Sequence, residues 1–429
     1  MDISNRVDIP KTIDISKKQR VQPYIGLVLL IAVILFGALK SNVDQKLTLF
    51  LITGLALGYV LTRSRYGFAG GFKRIYVTGE GSLSTALLVM FAISMVLAAG
   101  IQFSATMMGI DPPGLSSVKF LNVSVLLGGF LFGIGMMLAG GCASGTLSDL
   151  GEGAGRSMIA MTTFVLGSLP GLMAQDALNN SAIGQIGMKL YLPDVMGYVG
   201  AVIFSVALLG ILYLVVRKYE NFRKKEGYYE KTVYEDQELP IPNKEPFKLF
   251  SYATFHKIFV QRWSFMTGGI LLAIMFGFIL ISTGHSWGVT GPFVTWGVAF
   301  LQMFGIHFTA PVFADYVATA NGGILNDPGS LRNIGIILGA AIAFLLAGRF
   351  AFDRHFKLKD VVYYLIGGFL MGFGARLAGG CNIGALFSGI GNFSLSGWGF
   401  FVTLALGGFL ALKVFAGKVN IIPPDRHQK

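Results

Sequence analysis

The chain has 429 residues, of which 53% are hydrophobic and 13% charged, and its formal net charge is +12. Soluble domains carry about a quarter charged residues, so most of this surface is expected to face lipid. The basic residues lie at the ends of apolar runs, which favours anionic headgroups and a positive-inside topology over nucleic-acid binding. Two cysteines, Cys142 and Cys381, are too few for a disulfide framework or a structural zinc site.

Ten apolar runs are long enough to predict membrane-spanning helices, which need about 20 mainly apolar residues each. They are residues 24–41, 47–63, 82–101, 118–138, 157–175, 195–216, 264–284, 331–348, 361–378 and 396–415. An eleventh apolar segment, 293–309, is interrupted by Thr295 and Gln302, and we interpret it as a short or broken helix. Without it, the basic loops of both halves and both termini fall on the cytoplasmic side of an inner membrane.

These runs divide the chain into six predicted segments. They are a cytoplasmic N-terminal segment (1–23), an extra transmembrane helix (24–46), a first membrane repeat (47–216), a cytoplasmic linker (217–262), a second membrane repeat (263–416) and a cytoplasmic tail (417–429). The run 24–41 lies far from the start and has no convincing cleavage site after it, which indicates a retained helix. The linker is either a plain connector or a docking surface for a cytoplasmic partner.

An internal repeat is visible in the sequence. Residues 128–147 read GGFLFGIGMMLAGGCASGTL and residues 367–386 read GGFLMGFGARLAGGCNIGAL, with 13 of 20 positions identical, both cysteines included. The first copy follows four predicted spans and the second follows nine, so the two cysteines are expected on opposite sides of the membrane. The predicted fold is therefore an all-α polytopic membrane protein with an inverted internal repeat, a plan that is common in transporters.

The glycine pairs before the two cysteines predict a break in each helix. Gly140-Gly141 and Gly379-Gly380 disfavour helix and permit backbone conformations closed to other residues. Non-helical backbone at membrane depth occurs where protein buries it or water reaches it, so each loop is expected to be re-entrant. Short helices starting near Ser144 and Ile383 would direct free N–H groups towards an anion. The thiol beside them is a weak donor and a soft acceptor, suited to a sulfur ligand.

Three charged residues near the loops are candidate site residues. Arg376 lies within a predicted span, where it would either attract an anion or pair with Asp315 or Asp327. Arg65 is either a cytoplasmic anchor or part of the inner mouth of the pore. Glu152 is interpreted as a brace of the first loop rather than a proton carrier. The histidines are scattered and no phosphate-binding loop is present, so we expect no metal, no cofactor and no ATPase activity.

The sequence resembles the YeeE/YedE family of bacterial sulfur-transport membrane proteins from about Leu47 onwards. The motifs RSRYGFAGGFKRIYV at 63–77, LAGGCASGTLSDLGEG at 138–153 and GFGARLAGGCNIG at 372–384 follow the family's order. The resemblance implies a pore with stacked cysteines, in which thiosulfate passes by hydrogen bonds between thiols and its terminal sulfur.

Residue by residue, the resemblance is incomplete. Cys142 and Cys381 match two of the family's pore cysteines, whereas Gly67 is at a position where the family commonly has a third. Arg376 and Asn382 are more similar to the YedE branch, which is associated with selenium metabolism.

We therefore predict a non-enzymatic transporter or channel-like permease that imports a small sulfur-containing anion, with thiosulfate as the first choice. A cytoplasmic sulfur-carrier protein is the expected partner. The alternatives are a transporter of a selenium or persulfide sulfur species, a membrane sulfurtransferase with persulfide-carrying thiols, and a scaffold that moves nothing.

Overall fold

The computed structural model describes residues 17–231, 235, 238–241, 248, 251–353 and 356–423. Most of the predicted N-terminal segment and parts of the predicted linker and tail lie outside these residues. The described chain is mainly helical. Its α-helices are α1 (Lys17–Ser41), α2 (Gln45–Arg63), α3 (Phe68–Val77), α4 (Ser82–Met107), α5 (Val123–Ala139), α6 (Ala143–Glu152), α7 (Gly155–Asn179), α8 (Leu192–Lys225), α9 (Tyr252–Phe255), α10 (Phe265–Thr283), α11 (Gly291–Gln302), α12 (Ala314–Gly322), α13 (Pro328–Leu346), α14 (Leu358–Leu377), α15 (Ser388–Gly391) and α16 (Leu395–Val414).

The described strands are β1 (Phe120–Asn122) and β2 (Gly187–Lys189), which pair antiparallel with Phe120 opposite Lys189. Ten helical segments of the described residues are long and apolar enough to cross a membrane. This confirms the predicted all-α polytopic membrane fold. The helix α11 has 12 residues, about 18 Å of length, which is too short to cross.

Side-chain caps fix where several of these helices begin. The Asn122 side chain accepts a hydrogen bond from the Val125 N–H at the start of α5. Asp327 accepts from the N–H groups of Gly329 and Ser330 at the start of α13. Each cap satisfies an N–H group that has no partner within the helix, which matters most where water is scarce.

Helices α5 and α14, which carry the two copies of the repeated sequence, pack antiparallel through glycine. A Cβ added at Gly128 would lie 2.6 Å from the carbonyl oxygen of Gly374, and one added at Gly374 would lie 2.7 Å from that of Gly128. Gly135 and Gly367 face each other in the same reciprocal way. The contacts are therefore those of a two-fold arrangement. Exchanging equivalent positions of the two copies turns the pair Gly128–Gly374 into the pair Gly367–Gly135.

The next helices extend the same pattern. A Cβ at Gly368 of α14 would lie 2.2 Å from the carbonyl oxygen of Ala160 in α7, and one at Gly129 of α5 would lie 3.1 Å from that of Phe400 in α16. Gly368 is 239 residues after Gly129, and Phe400 is 240 residues after Ala160. These four helices pack in the order α7–α14–α5–α16, whereas large apolar side chains of α1 and α8 are exposed.

Candidate functional site

The first glycine–cysteine motif forms a sharp turn at the end of α5. Gly140 has φ +84°, a left-handed conformation that glycine adopts without strain. Cys142 then takes an extended conformation and caps the start of α6. Its thiol is 1% exposed and lies 3.4 Å from the hydroxyl of Ser144. We call residues 140–142 the Cys142 loop.

The second motif repeats this geometry at the end of α14. Gly379 has φ +66°, and Cys381 takes an extended conformation before a π-helical turn, Asn382–Phe387, that leads into α15. The Cys381 thiol is fully buried and accepts a hydrogen bond from the Ile383 N–H at 3.4 Å. The Ile383 N–H at the start of this turn is therefore bonded to the thiol sulfur rather than left free. We call residues 379–381 the Cys381 loop.

The two loops start at opposite ends of the antiparallel α5–α14 pair, and the short helices that follow them contact each other. The Asn382 side-chain amide lies 3.6 Å from the sulfur of Met136 on α5. The other polar atom of that amide, Oδ1, is buried without a partner among the described residues. Asn382, predicted as a path residue, therefore lies at the contact between the two halves with a free acceptor.

A cavity of about 430 Å³ opens at the Cys142 loop. Cys142, Gly140-Gly141 and Gly67 all line it. Its charged lining residues are Arg65, Lys73, Arg74, Asp149, Glu152 and Arg156. The sequence-predicted residues Arg65 and Glu152 thus share one cavity with the first cysteine, and four basic groups outnumber two acidic ones.

Arg65 is held at this cavity by carboxylates from two parts of the chain. Its guanidinium lies 2.8 Å from Glu152 and 3.3 Å from Glu238 of the linker. Arg65 has φ +50°, which is uncommon for a residue other than glycine, so these contacts hold a strained backbone in place. Glu238 is 5% exposed and also contacts Arg262 and Arg349. Through Glu238, the linker is therefore tied to Arg65, a residue that lines the cavity.

Arg376 lies at the Cys381 loop, in the last turn of α14, and is 6% exposed. Its guanidinium donates to the hydroxyl of Thr290 at 2.7 Å and to that of Tyr316 at 3.3 Å. No ion pair between described residues joins it to Asp315 or Asp327. These contacts therefore do not include the carboxylate pair that was one of the two roles considered for Arg376.

Lys119 is a site residue that sequence reasoning missed. It precedes α5, and its ammonium group donates to the carbonyl of Gly379. It also lines a second cavity of about 590 Å³, together with the amide side chains of Gln175, Asn179 and Gln185. The sequence feature that could have indicated Lys119 is the presence of a lysine inside the apolar run 118–138. Taken alone, such a lysine is typical of an anchor at the end of a membrane helix.

Comparison with known proteins places these motifs in context. The sequence model of the sulphur transport family matches residues 63–410 of this chain. The chain belongs to the sulphur transport family. The matched region contains both cysteine loops and Gly67, whereas α1 precedes it.

Named relatives agree with the family match. The thiosulfate transporter TsuA of Spirochaeta thermophila is 29% identical over 357 residues, covering 81% of this chain and 92% of the relative. TsuA of Escherichia coli is 26% identical and covers 78% of this chain and 84% of the relative. The probable transporter YedE of Escherichia coli is 32% identical over 41% of each chain. The chain is thus a multi-pass membrane protein of a sulfur-anion transporter family.

Proposed function

We propose that this protein imports thiosulfate, or a closely similar sulfur-containing anion, along a path lined by Cys142 and Cys381. The observation that carries the proposal is the pair of buried thiols in equivalent loops, which start at opposite ends of the α5–α14 pair and lead into short helices that contact each other. Two relatives that cover most of this chain are named thiosulfate transporters, which supports thiosulfate as the first choice of cargo.

We take the Cys142 loop to be on the cytoplasmic side of the inner membrane and the Cys381 loop on the outer side. Basic residues concentrate around the Cys142 cavity and along the end of α8, as the positive-inside rule requires of the cytoplasmic side. With the N- and C-termini also inside, residues 47–216 and 263–416 form inverted repeats with two re-entrant loops. The reciprocal contacts of α5 and α14 support that arrangement.

The chemistry needed for passage is limited to desolvation and hydrogen bonding. A thiol donates weakly to a soft sulfur acceptor, and backbone N–H groups at a helix start stabilise negative charge. Both features occur together at Cys381, where Ile383 N–H meets the thiol sulfur. Two weak binding positions favour passage over tight binding, because an anion held strongly at either one would not leave.

The direct test is uptake of ³⁵S-thiosulfate by proteoliposomes containing the purified protein. We expect Cys142→Ala and Cys381→Ala each to reduce uptake at least about tenfold, a loss of roughly 1.4 kcal/mol of path stabilisation. Ser205→Ala is the matched control, since it also trims a buried side chain in a membrane helix, far along the chain from both loops. Normal uptake by both cysteine variants would refute the thiol path, and no uptake of any sulfur or selenium anion would refute the function.

The same samples separate a conduit from a sulfurtransferase. A sulfurtransferase would hold one extra sulfur atom on a thiol as a persulfide after exposure to thiosulfate. We expect intact-protein mass spectrometry to show no such adduct on the transporting protein. Delivery to a cytoplasmic sulfur-carrier protein, the partner we propose, is tested by whether adding such a carrier inside the vesicles raises uptake.

A further inference from the structure

The charged residues at the two loops differ in how they are compensated. At the Cys142 cavity three of the four basic groups have carboxylate partners: Arg65 pairs with Glu152, Arg74 lies 3.7 Å from Glu80, and Arg156 lies 2.6 Å from Asp149. At the Cys381 loop, the ion pairs found in the described part of the chain include neither Lys119 nor Arg376. The two loops are alike in backbone geometry but differ in how far carboxylates compensate the basic residues beside them.

Lys119 and Arg376 both approach the Cys381 loop closely. A Cβ added at Gly379 would lie 2.7 Å from the Lys119 nitrogen, and the guanidinium of Arg376, in the last turn of α14, is close enough to repel the Lys119 charge. The guanidinium of Arg376 has only neutral hydroxyls as partners, and its Nε is buried with none among the described residues. One donor of a nine-tenths buried cation is therefore left free beside the loop.

Two neighbouring cations in a poorly hydrated place are unfavourable on two counts. Each loses solvation that hydroxyl and carbonyl partners replace only in part, and the two repel each other. Burial and, to a lesser extent, the nearby charge of Arg376 together lower the pKa of Lys119 to about 8, against a smaller opposing effect of Cys381. An anion with two negative charges would remove both penalties, whereas a single negative charge would remove about half.

We infer that Lys119 and Arg376 form a binding site for a small dianion at the outer entrance of the Cys381 loop. The inference rests on the proposed function, because it assigns the capture step for the same cargo. Thiosulfate, sulfate and selenate have the required charge and size. The 590 Å³ cavity, with Lys119 and four amide side chains, including that of Asn122, in its wall, provides the approach from solvent. This site selects an anion by its charge rather than by whether it contains sulfur.

A purely structural role for Lys119 is distinguishable from a role in binding. Its contact with the Gly379 carbonyl resembles a cap on the end of α14, and a neutral donor would preserve that cap. Lys119→Gln keeps a donor and removes the charge, and Lys119→Arg keeps the charge. Lys413 is an exposed lysine in the last turn of α16, outside the residues that line this cavity, so Lys413→Gln is the matched control.

The experiment is equilibrium binding of ³⁵S-thiosulfate to the full-length protein in detergent, with sulfate, selenate and thiocyanate as competitors. We expect Lys119→Gln and Arg376→Gln to weaken binding at least about tenfold, Lys119→Arg to restore most of it and Lys413→Gln to change it less than about twofold. Sulfate and selenate should compete, and thiocyanate, a sulfur-containing monoanion, should not.

Two results would overturn the inference: equal binding by wild type and both charge-removing variants, or competition by thiocyanate as strong as by sulfate. The proposed function fails separately. If the protein binds sulfate through Lys119 and Arg376 but vesicles take up no thiosulfate, the site stands and thiosulfate import does not. If vesicles take up thiosulfate while both variants bind it normally, thiosulfate import stands and the dianion site does not.

Discussion

Gly67 and Cys142 line the same cavity, and nothing lies within 4 Å of the point where a Cβ on Gly67 would be. Gly67 has an extended backbone, φ −151°, at the start of α3. A side chain at this position would therefore enter the cavity without strain. Position 67, where the resemblance to the family predicts a cysteine, therefore has room for one.

The first prediction follows from that space. Gly67→Cys should fold and transport like the parent protein, because the new thiol meets no neighbour and requires no unusual backbone. Its thiol should react with a water-soluble maleimide added from the cytoplasmic side, since the cavity opens there in the proposed topology. A protein lacking Cys142 and Cys381 serves as background. Failure to fold, or a thiol that does not react in the folded protein, would contradict the open cavity.

The second prediction compares the middle glycines of the two loops. A Cβ at Gly380 would lie 2.6 Å from the Ala385 nitrogen, whereas the nearest atoms to one at Gly141 are 3.6 Å away. Gly380→Ala should therefore destabilise the protein by roughly 1–3 kcal/mol, as overpacked sites do, and reduce uptake. Gly141→Ala should leave the melting temperature within about 2 °C of the parent's. Equal effects of the two substitutions would show that the loops are less different than their contacts indicate.

The third prediction concerns Glu238 and pH. Burial raises the pKa of this carboxyl, but the hydrogen bond from Arg349 and the charges of Arg65, Arg349 and Arg262 outweigh burial, so its pKa lies below the usual 4.5. A carboxyl with a lowered folded-state pKa stabilises the fold above its unfolded-state pKa and loses that effect as pH falls through the folded value. Glu238→Gln should lower the melting temperature by roughly 5 °C at pH 7.

The difference between Glu238→Gln and the parent protein should shrink as pH falls below about 4.5. Glu235→Gln is the control: Glu235 also contacts Arg349 and Arg65, but it is 65% exposed, and exposed pairs contribute little. A constant difference in melting temperature across this pH range would exclude ionised Glu238 as the source of the stabilisation.

The fourth prediction concerns Lys119 and thiosulfate affinity at alkaline pH. With a pKa of about 8, Lys119 is mostly charged at pH 7 and mostly neutral at pH 9. Affinity should therefore fall as pH rises through 8, since the site loses one of its two cations. The other titratable or charged groups near Lys119 are Arg376, Cys381 and, in the cavity wall, Lys189. The same titration of Lys119→Gln should be flat, and a parallel fall in both proteins would assign the effect to another group.

The repeated loops could be found from sequence because their information is local. A glycine pair followed by cysteine, copied 239 residues apart, specifies the turn at Gly140 and Gly379 without reference to the rest of the chain. The ten membrane spans follow from length and hydropathy for the same reason. Both features depend on neighbours within one or two helical turns.

The charge balance at the loops could not be found in that way. Lys119 contacts Gly379 across 260 residues, and Arg65 contacts Glu238 across 173 residues and through the linker. Arg376 was expected to have Asp315 or Asp327 as an alternative partner, yet Asp327 instead caps α13. Which carboxylate reaches which guanidinium depends on tertiary packing that no local pattern contains.

The glycine contacts between α5 and α14 also have a mechanical consequence. Their backbones touch without an intervening layer of side chains, so sliding or rotating one helix on the other would bring carbonyl groups into collision. A rocking-bundle cycle needs a hinge between the halves, and this seam is a poor place for one. In the transport path we propose, these contacts therefore fix the spacing of the two thiols, and opening and closing are left to the residues at its two ends.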